Sequence, residues 1–297
     1  MRRRSLGALS AAGVLCLGLT ASGSEPEPAQ HLHSFTWRAD QHGFGGFSGL
    51  EVSADGASFT VISDRGAITS GSFQRTGGKI TAITADDVQD LRDPKGRKQG
   101  AHVHDAEGLA IRGDGRMFVS YENQHRVWGY LTLEAAARLP RAKAFGALQP
   151  NSGLEALAVD ADNRLYAIPE RSGALTRPFP VWVYTPATQS WSHPYDLPRR
   201  GGFLVVGADF GPDGMFYLLE REFTGWGFRT RVRRFVLNSA GVTGEQTLFE
   251  TYTRRHDNLE GLAVWQDADG MIRLTMVSDD NFRAFQRTEF VEYLVRD

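Results

Sequence analysis

One phrase returns five times along this chain, and each copy joins a short apolar stretch to acids at both of its ends. The clearest copies run from Asp105-Ala106-Glu107-Gly108-Leu109-Ala110-Ile111 to Ser120-Tyr121-Glu122, and from Leu154-Glu155-Ala156-Leu157-Ala158-Val159 to Ile168-Pro169-Glu170. A third runs from Asn258-Leu259-Glu260-Gly261-Leu262-Ala263-Val264 to Val277-Ser278-Asp279-Asp280. Weaker copies link Phe47-Ser48-Gly49-Leu50-Glu51 to Ile62-Ser63-Asp64, and Val206-Gly207-Ala208-Asp209-Phe210 to Leu219-Glu220-Arg221. The small residue of each copy (Gly49, Gly108, Ala156, Gly207, Gly261) recurs after 59, 48, 51 and 54 residues. A period near fifty with strands in every unit predicts an all-β chain folded as a β-propeller of five blades. The segment from Gly77 to His104 leaves room for a sixth.

Each repeat supplies the parts of a blade. An apolar stretch with alternating small residues suits an innermost strand crowded around an axis. A turn pair follows: Asp55-Gly56, Asp114-Gly115, Asp162-Asn163, Asp213-Gly214 or Asp269-Gly270. Such pairs tolerate the positive φ of tight hairpins. Second strands such as Phe59-Thr60-Val61-Ile62 are rich in aromatic and β-branched residues. Third strands are predicted at 126–131, 181–184, 232–237 and 288–295, and one or two helical turns at 133–139. An orphan strand, His33 to Arg38, precedes the first repeat, while the last repeat offers three strands. Donating the N-terminal strand to the last blade would seal the ring and hide sheet edges.

The ends and the composition set the compartment. Met1-Arg2-Arg3-Arg4, an apolar run from Leu6 to Leu19 and Ala21-Ser22-Gly23 read as a secretory signal peptide over residues 1–23. The run is short for a bilayer crossing. The export route, general or twin-arginine, stays open. Residues 24–33, with Glu and Pro, read as a disordered tether, and 34–297 as one propeller domain. Loss of the leader removes Cys16 and three arginines, so the net charge moves from −2 to −5. The expected product is a periplasmic or secreted monomer without disulfides and without an integral membrane segment. Its mild acidity gives no general reason to bind nucleic acid.

The repeat also predicts a site. Glu107 and Glu122 stand 15 residues apart at the two ends of one hairpin, as do Glu155 and Glu170. Because the second strand returns, both ends reach one face. Around the ring, Glu107, Glu155 and Glu260 should approach the channel mouth with Asp64, Glu122, Glu170, Glu220 and Asp279. So many carboxylates repel unless they are protonated, paired or metal-bound. Arginine follows three of them, as Arg65, Arg171 and Arg221, and cross-blade pairing is expected. The other remedy is a hard cation: calcium takes oxygen donors from several segments, and Asn123, Asn151, Asn258 and Asn281 add to the supply. Zinc is less suited, since His102 and His104 form a lone pair without a third ligand.

Several of these phrases, Asp105-Ala106-Glu107-Gly108-Leu109-Ala110, Asn151-Ser152-Gly153-Leu154-Glu155-Ala156-Leu157-Ala158 and Glu220-Arg221-Glu222-Phe223 among them, resemble the phytase-like propeller family described as having esterase-like activity. Asp257-Asn258-Leu259-Glu260-Gly261-Leu262-Ala263 and Ser278-Asp279-Asp280-Asn281-Phe282 with Gln286-Arg287-Thr288 continue that resemblance over nearly the whole mature chain. It implies an exported propeller, a calcium requirement and hydrolysis of phosphate or carboxylic esters. Ser48 and Val206 depart from it, standing where a carboxylate is expected.

The expected function is therefore calcium-assisted hydrolysis of a small-molecule ester or phosphoester. Glu107, Glu155, Glu260 and Asp279 are the expected metal ligands, Glu122 and Glu170 the catalytic acids or bases, and Arg65, Arg171 and Arg221 the substrate anchors. Two other readings stand beside it: a calcium-dependent lactonase-like enzyme, and a non-catalytic periplasmic propeller that binds a ligand or protein. The run Arg229, Arg231, Arg233, Arg234 fits either a polyanion surface or a solvated strand. No serine-hydrolase elbow occurs; Gly46-Phe47-Ser48-Gly49-Leu50 lacks its flanking pattern.

Overall fold

A computed structural model describes residues 27–99, 105–149 and 152–296. Residues 1–23 of the expected leader, His102, His104 and Asn151 lie outside the described residues. The chain opens with β1 (Ala29–Thr36). Blade 1 follows with β2 (Phe47–Val52), β3 (Ser58–Ser63), β4 (Ala67–Thr76), β5 (Lys79–Ala85) and the short β6 (Gln89–Asp90). Blade 2 holds β7 (Ala106–Ile111), β8 (Met117–Tyr121), β9 (Arg126–Tyr130) and β10 (Ala137–Arg138). Blade 3 holds β11 (Leu154–Val159), β12 (Leu165–Pro169), β13 (Phe179–Thr185) and β14 (Ser190–Leu197). Blade 4 holds β15 (Leu204–Phe210), β16 (Phe216–Phe223), β17 (Phe228–Asn238) and β18 (Gly241–Glu250). Blade 5 holds β19 (Asn258–Gln266), β20 (Ile272–Asp279) and β21 (Glu289–Val295).

The ring has five blades. The segment expected to leave room for a sixth supplies β5 and β6 to the outside of blade 1 instead. Ring closure follows the sequence: β1 pairs antiparallel with β21, from Ala29 opposite Val295 to Thr36 opposite Glu289. β1 starts at Ala29, so residues 29–33 are strand rather than the expected tether. The helical turns expected at 133–139 are replaced by β10, and a 3₁₀ turn lies further on, at Lys143–Ala147.

The apolar core is divided among the blade interfaces. Five clusters of buried side chains fill the five gaps between neighbouring blades. The gap sealed by chain closure, between blades 5 and 1, is the aromatic one. There Trp37 stacks on Phe47 with centroids 5.2 Å apart, and Phe290 meets Phe59 at 5.1 Å and Phe73 at 5.0 Å. Arg75 crosses the same seam to grip both carboxylate oxygens of buried Glu292 at 2.8 Å. A seam closed by strand pairing alone would open at low cost; aromatic burial and a bidentate pair oppose that.

The recurring small residue has its reason here. The inner strands β2, β7, β11, β15 and β19 pack side by side around the axis. A Cβ placed on Gly108 would lie 2.6 Å from the backbone N of Leu157 in the next blade. One on Gly261 would lie 2.9 Å from the backbone N of Leu50. Strands this close admit no side chain at those points.

Candidate functional site

Every inner strand slips register by one residue against its partner, at the same place in each blade. The slips fall between Phe47 and Gly49, Ala106 and Leu109, Leu154 and Ala156, Val205 and Gly207, and Leu259 and Gly261. The bulge therefore takes in Ser48, Glu107, Glu155, Val206 and Glu260. A bulge leaves a residue without a ladder partner and re-aims its side chain. These five residues form a lower tier around the axis. Below them the inner strands leave a void of only about 10 Å³, lined by Leu50, Leu109, Leu157 and Leu262. The axis is thus a cup with an apolar plug.

An upper tier comes from the returning strands. Asp64, Glu122 and Glu170 donate backbone N–H groups to the carbonyls of Gly46, Asp105 and Gly153, at 2.9, 2.9 and 3.0 Å. In the other two blades Arg221 lies opposite Leu204, and Asp279 opposite Asn258. The tier reads Asp64, Glu122, Glu170, Arg221, Asp279. Blade 4 thus contributes Arg221, not the expected Glu220. One position along a strand reverses the side chain's face, and Glu220 points into the blade instead. There it accepts from Arg231 Nε at 2.8 Å and from Arg233 at 2.7 and 2.6 Å, with no exposed surface. Arg229 pairs with Glu222 and Glu250. The arginine run is neither a polyanion surface nor a solvated strand, because Arg229, Arg231 and Arg233 are held by these ion pairs and Arg234 donates to Gln246 Oε1 at 2.8 Å.

With Asp105 beside Glu122, the cup gathers eight carboxylates around one arginine, Arg221. Its guanidinium pairs with Glu260, donates to Asn258 Oδ1 at 2.6 Å and lies 3.6 Å from Glu170. Burial opposes its charge, but Glu260, Glu155, Glu170 and Glu107 raise its proton affinity further. The acids are forced the other way. Burial, then Glu155 and Glu260, push Glu107 well above the usual carboxylate range; burial, then Glu170, do the same to Glu155. Burial and the neighbouring Asp105 and Glu170 lift Glu122 to about 7. Burial and Glu260 lift Asp279 to about 8. Glu260 is raised by burial even though Arg221 and Asn258 hold it down. A cup in this condition keeps protons at neutral pH or exchanges them for a cation.

The carboxylates divide into two groups. Asp105, Glu107 and Glu122 bring one oxygen each to within 4.8 Å of one another. Asp105 has φ 61°, and Asn123 Nδ2 donates to its Oδ2 at 2.8 Å, which fixes it in this unusual backbone position. Glu260 and Asp279 belong to the other group, around Arg221 and Asn258, whose Nδ2 reaches them at 2.8 and 3.5 Å. Of the expected ligands Glu107, Glu155, Glu260 and Asp279, Glu107 converges with Asp105 and Glu122, while Glu155 and Glu260 are the neighbours whose charge acts most on it. Glu260 is itself occupied by an arginine. Asp105 was missed in the sequence, although it opens the repeat phrase at the position that Asn258 fills in blade 5. The spacing held the signal for Arg221 too: 15 residues from Val206 falls on Arg221, just as 15 from Glu107 falls on Glu122.

The other expected groups fall as follows. Arg171 pairs with its own neighbour Glu170 at 3.1 Å rather than across blades. Arg65 lies over the ring of Phe282, 3.2 Å from its centroid, and so sits at the junction of blades 1 and 5. Ser48 donates to the carbonyl of Ala106 at 2.5 Å and serves as a staple between blades. Beside the cup, over Glu170, Arg221 and Asn258, a cleft of about 790 Å³ opens between the loops of blades 4 and 5. No helix among the described residues is long and apolar enough to cross a membrane.

Among solved structures, the gluconolactonase XC5397 from Xanthomonas campestris matches with TM-score 0.51 at 13% identity, over 91% of this chain and 96% of that one. The PQQ-bound aldose sugar dehydrogenase from Streptomyces coelicolor matches with TM-score 0.50 at 13% identity, over 91% and 99%. Likenesses at that identity show a shared fold. No curated protein sequence matches the chain. The profile described as "Phytase-like: Esterase-like activity of phytase" matches residues 42–282, which include both tiers of the cup and the blade 4 loop of the cleft. With that match running through all five blades, the chain belongs to the phytase-like family.

Proposed function

We propose that this protein is an exported, calcium-assisted hydrolase of small ester or phosphoester substrates, with Asp105, Glu107 and Glu122 as the ion's ligands. The observation that carries the reading is the convergence of those three carboxylates, two of them made reluctant to ionise by burial and neighbouring acids. The donor set fits: three hard oxygens within 4.8 Å of one another suit an ion whose oxygen ligands lie about 2.3–2.6 Å away. When bound, the ion supplies a Lewis acid for a carbonyl or phosphoryl oxygen. Arg221, at the junction of cup and cleft, orients an anionic substrate group. Glu170, ion-paired with Arg171 and close to Arg221, takes the place of a water-activating base. Glu155, whose proton affinity is raised by burial and by Glu170, takes the place of a general acid for the leaving oxygen. Lactones are cyclic esters open to the same groups, and the shared fold of the Xanthomonas gluconolactonase supports including them.

The test starts with stability. Calcium should raise the melting temperature, EDTA should reverse the gain, and Glu107→Gln should abolish it. A panel of carboxylic esters, lactones and phosphomonoesters, run with and without calcium, then identifies the substrate class. Absence of any calcium effect on stability overturns the metal-assisted reading. A calcium effect with no turnover across the panel favours the non-catalytic ligand-binding propeller.

A further inference from the structure

We propose that the cleft beside the cup binds a ring-bearing small anion, a carboxylate or phosphate carried next to an aromatic or sugar ring. Three of the seven large hydrophobic side chains exposed among the described residues line this one cleft: Trp226 at 85%, Phe285 at 81% and Phe223 at 64%. Concentration of exposed aromatics at a concave site marks a binding surface rather than ordinary surface scatter. Flat apolar faces suit a ring, whether aryl or sugar.

The charge around them has the sign for an anion. Arg254, Arg283 and Arg287 line the same cleft as Arg171 and Arg221. Arg254 and Arg283 pair with no carboxylate among the described residues, and Arg287 is half exposed while it pairs with Glu289. The two carboxylates that line the cleft are already engaged. Glu170 is held by Arg171 and Arg221. Asp257 accepts from Gln286 Nε2 at 3.1 Å and from the backbone N of Arg287 at 3.0 Å. His256, also in the lining, is kept neutral by burial, with its proton affinity pushed down to about 3. A net positive wall with unpaired guanidinium groups recognises a carboxylate or phosphate by charge-assisted hydrogen bonds.

The walls are also preformed. Asp280 pins the blade 5 loop through Gly46 N at 2.9 Å, Phe282 N at 3.0 Å and Thr288 Oγ1 at 3.1 Å. Asn281 and Phe282 are thereby held at φ 47° and 51°, a region costly for residues with side chains. The facing loop of blade 4 is closed by Thr224, whose N and Oγ1 both reach the carbonyl of Gly227 at 3.0 Å. Loops held in this way lose less freedom when a ligand arrives. Arg221 and Glu170 belong to both spaces, so a ring-bearing anion in the cleft would present its neighbouring bond to the cup. As a statement about binding, the proposal stands without turnover; as a statement about substrate, it rests on the hydrolase reading.

The experiment measures binding in EDTA, where no calcium-assisted turnover occurs, by tryptophan fluorescence and calorimetry. The probes are phenyl phosphate, glucose 6-phosphate, inorganic phosphate and benzyl alcohol. Phenyl phosphate or glucose 6-phosphate should bind at least about tenfold tighter than either half-probe, and whichever is tighter identifies the ring as aryl or sugar. Arg254→Ala/Arg283→Ala should weaken that binding about tenfold or more, through loss of charge-assisted contacts. Trp226→Ala should weaken it without affecting inorganic phosphate. These residues are exposed, so melting temperatures should confirm intact folding. Equal binding of inorganic phosphate overturns the role of the ring, and equal binding of benzyl alcohol overturns that of the anion. Unchanged affinity in the arginine variant overturns the placement. Failure here leaves the calcium response of Glu107 untouched. Tight binding without hydrolysis of any ester in calcium instead defeats the hydrolase reading alone.

Discussion

Blade 4 and the cup hold the same chemistry in opposite states of balance. Inside blade 4, buried Glu220 meets Arg231 and Arg233, and Glu245 pairs with Arg233 in turn at 2.7 Å. Acids and bases in this network alternate, and each of these charges has a partner. In the cup, eight carboxylates crowd around Arg221, with Arg171 reaching only Glu170 at the rim, and the remaining surplus is relieved by retained protons or an added cation. Compensated burial is a structural device whose worth lies in not being broken. Uncompensated burial costs stability and persists where a site needs groups with displaced proton affinities.

The sharpest break of this comparison is a pair of matched substitutions. Glu220→Gln removes the buried charge that Arg231 and Arg233 share and should cost about 3–5 kcal/mol in chemical denaturation. Glu107→Gln removes an acid that its neighbours repel, so at pH 8 without calcium it should raise stability rather than lower it. Losses of equal size would show that the cup is as well compensated as blade 4. Calcium should reverse the second sign, since the wild type alone then gains stability from the ion.

The pH dependence is the next largest effect. Glu122, lifted to about 7, and Asp279, lifted to about 8, bind protons more tightly folded than unfolded. Their contribution is full below the unfolded carboxylate range and is lost as pH rises toward 7 and 8. Metal-free protein should therefore lose stability from about pH 5 to 8, by at most about 1.4 kcal/mol per pH unit for each proton the native state retains. Calcium should flatten that slope, and its binding should release protons, read as heats that differ between buffers of different ionisation enthalpy. A flat metal-free profile would contradict the crowding described for the cup. The smallest effect belongs to the rim. Arg171→Ala removes a half-exposed ion pair and should shift stability by less than about 1 kcal/mol. A larger loss would place Arg171 with the blade 4 network.

Much of the fold was legible because the period near fifty repeats the whole blade, turn pairs included. The turn of blade 3 shows how local that code is: Asn163 adopts φ 63° in the Asp-Asn turn that stands where the other blades have Asp-Gly. The helical turns expected at 133–139 were misread because a two-residue edge strand, Ala137–Arg138, carries no periodicity of its own. The site was legible by type and less so by partner. Glu107 and Glu122 stand at the predicted ends of one hairpin, while Asp105 opens the same phrase but has a counterpart acid in none of the other four copies. The cleft had no signal in the repeat, because its walls, residues 223–228 and 280–287, are more than fifty positions apart.

What the sequence determined by itself is the repeated unit: an inner strand with a small residue at the point of closest approach, and acids bracketing the hairpin. Those are local demands of strand packing and turn geometry, so local residues record them. Tertiary structure decided which of two adjacent residues, Glu220 or Arg221, enters the cup, and which acids share an ion. Strand side chains alternate with a period of two, and the bulge in each inner strand shifts the count by one. Only the assembled ring settles that count.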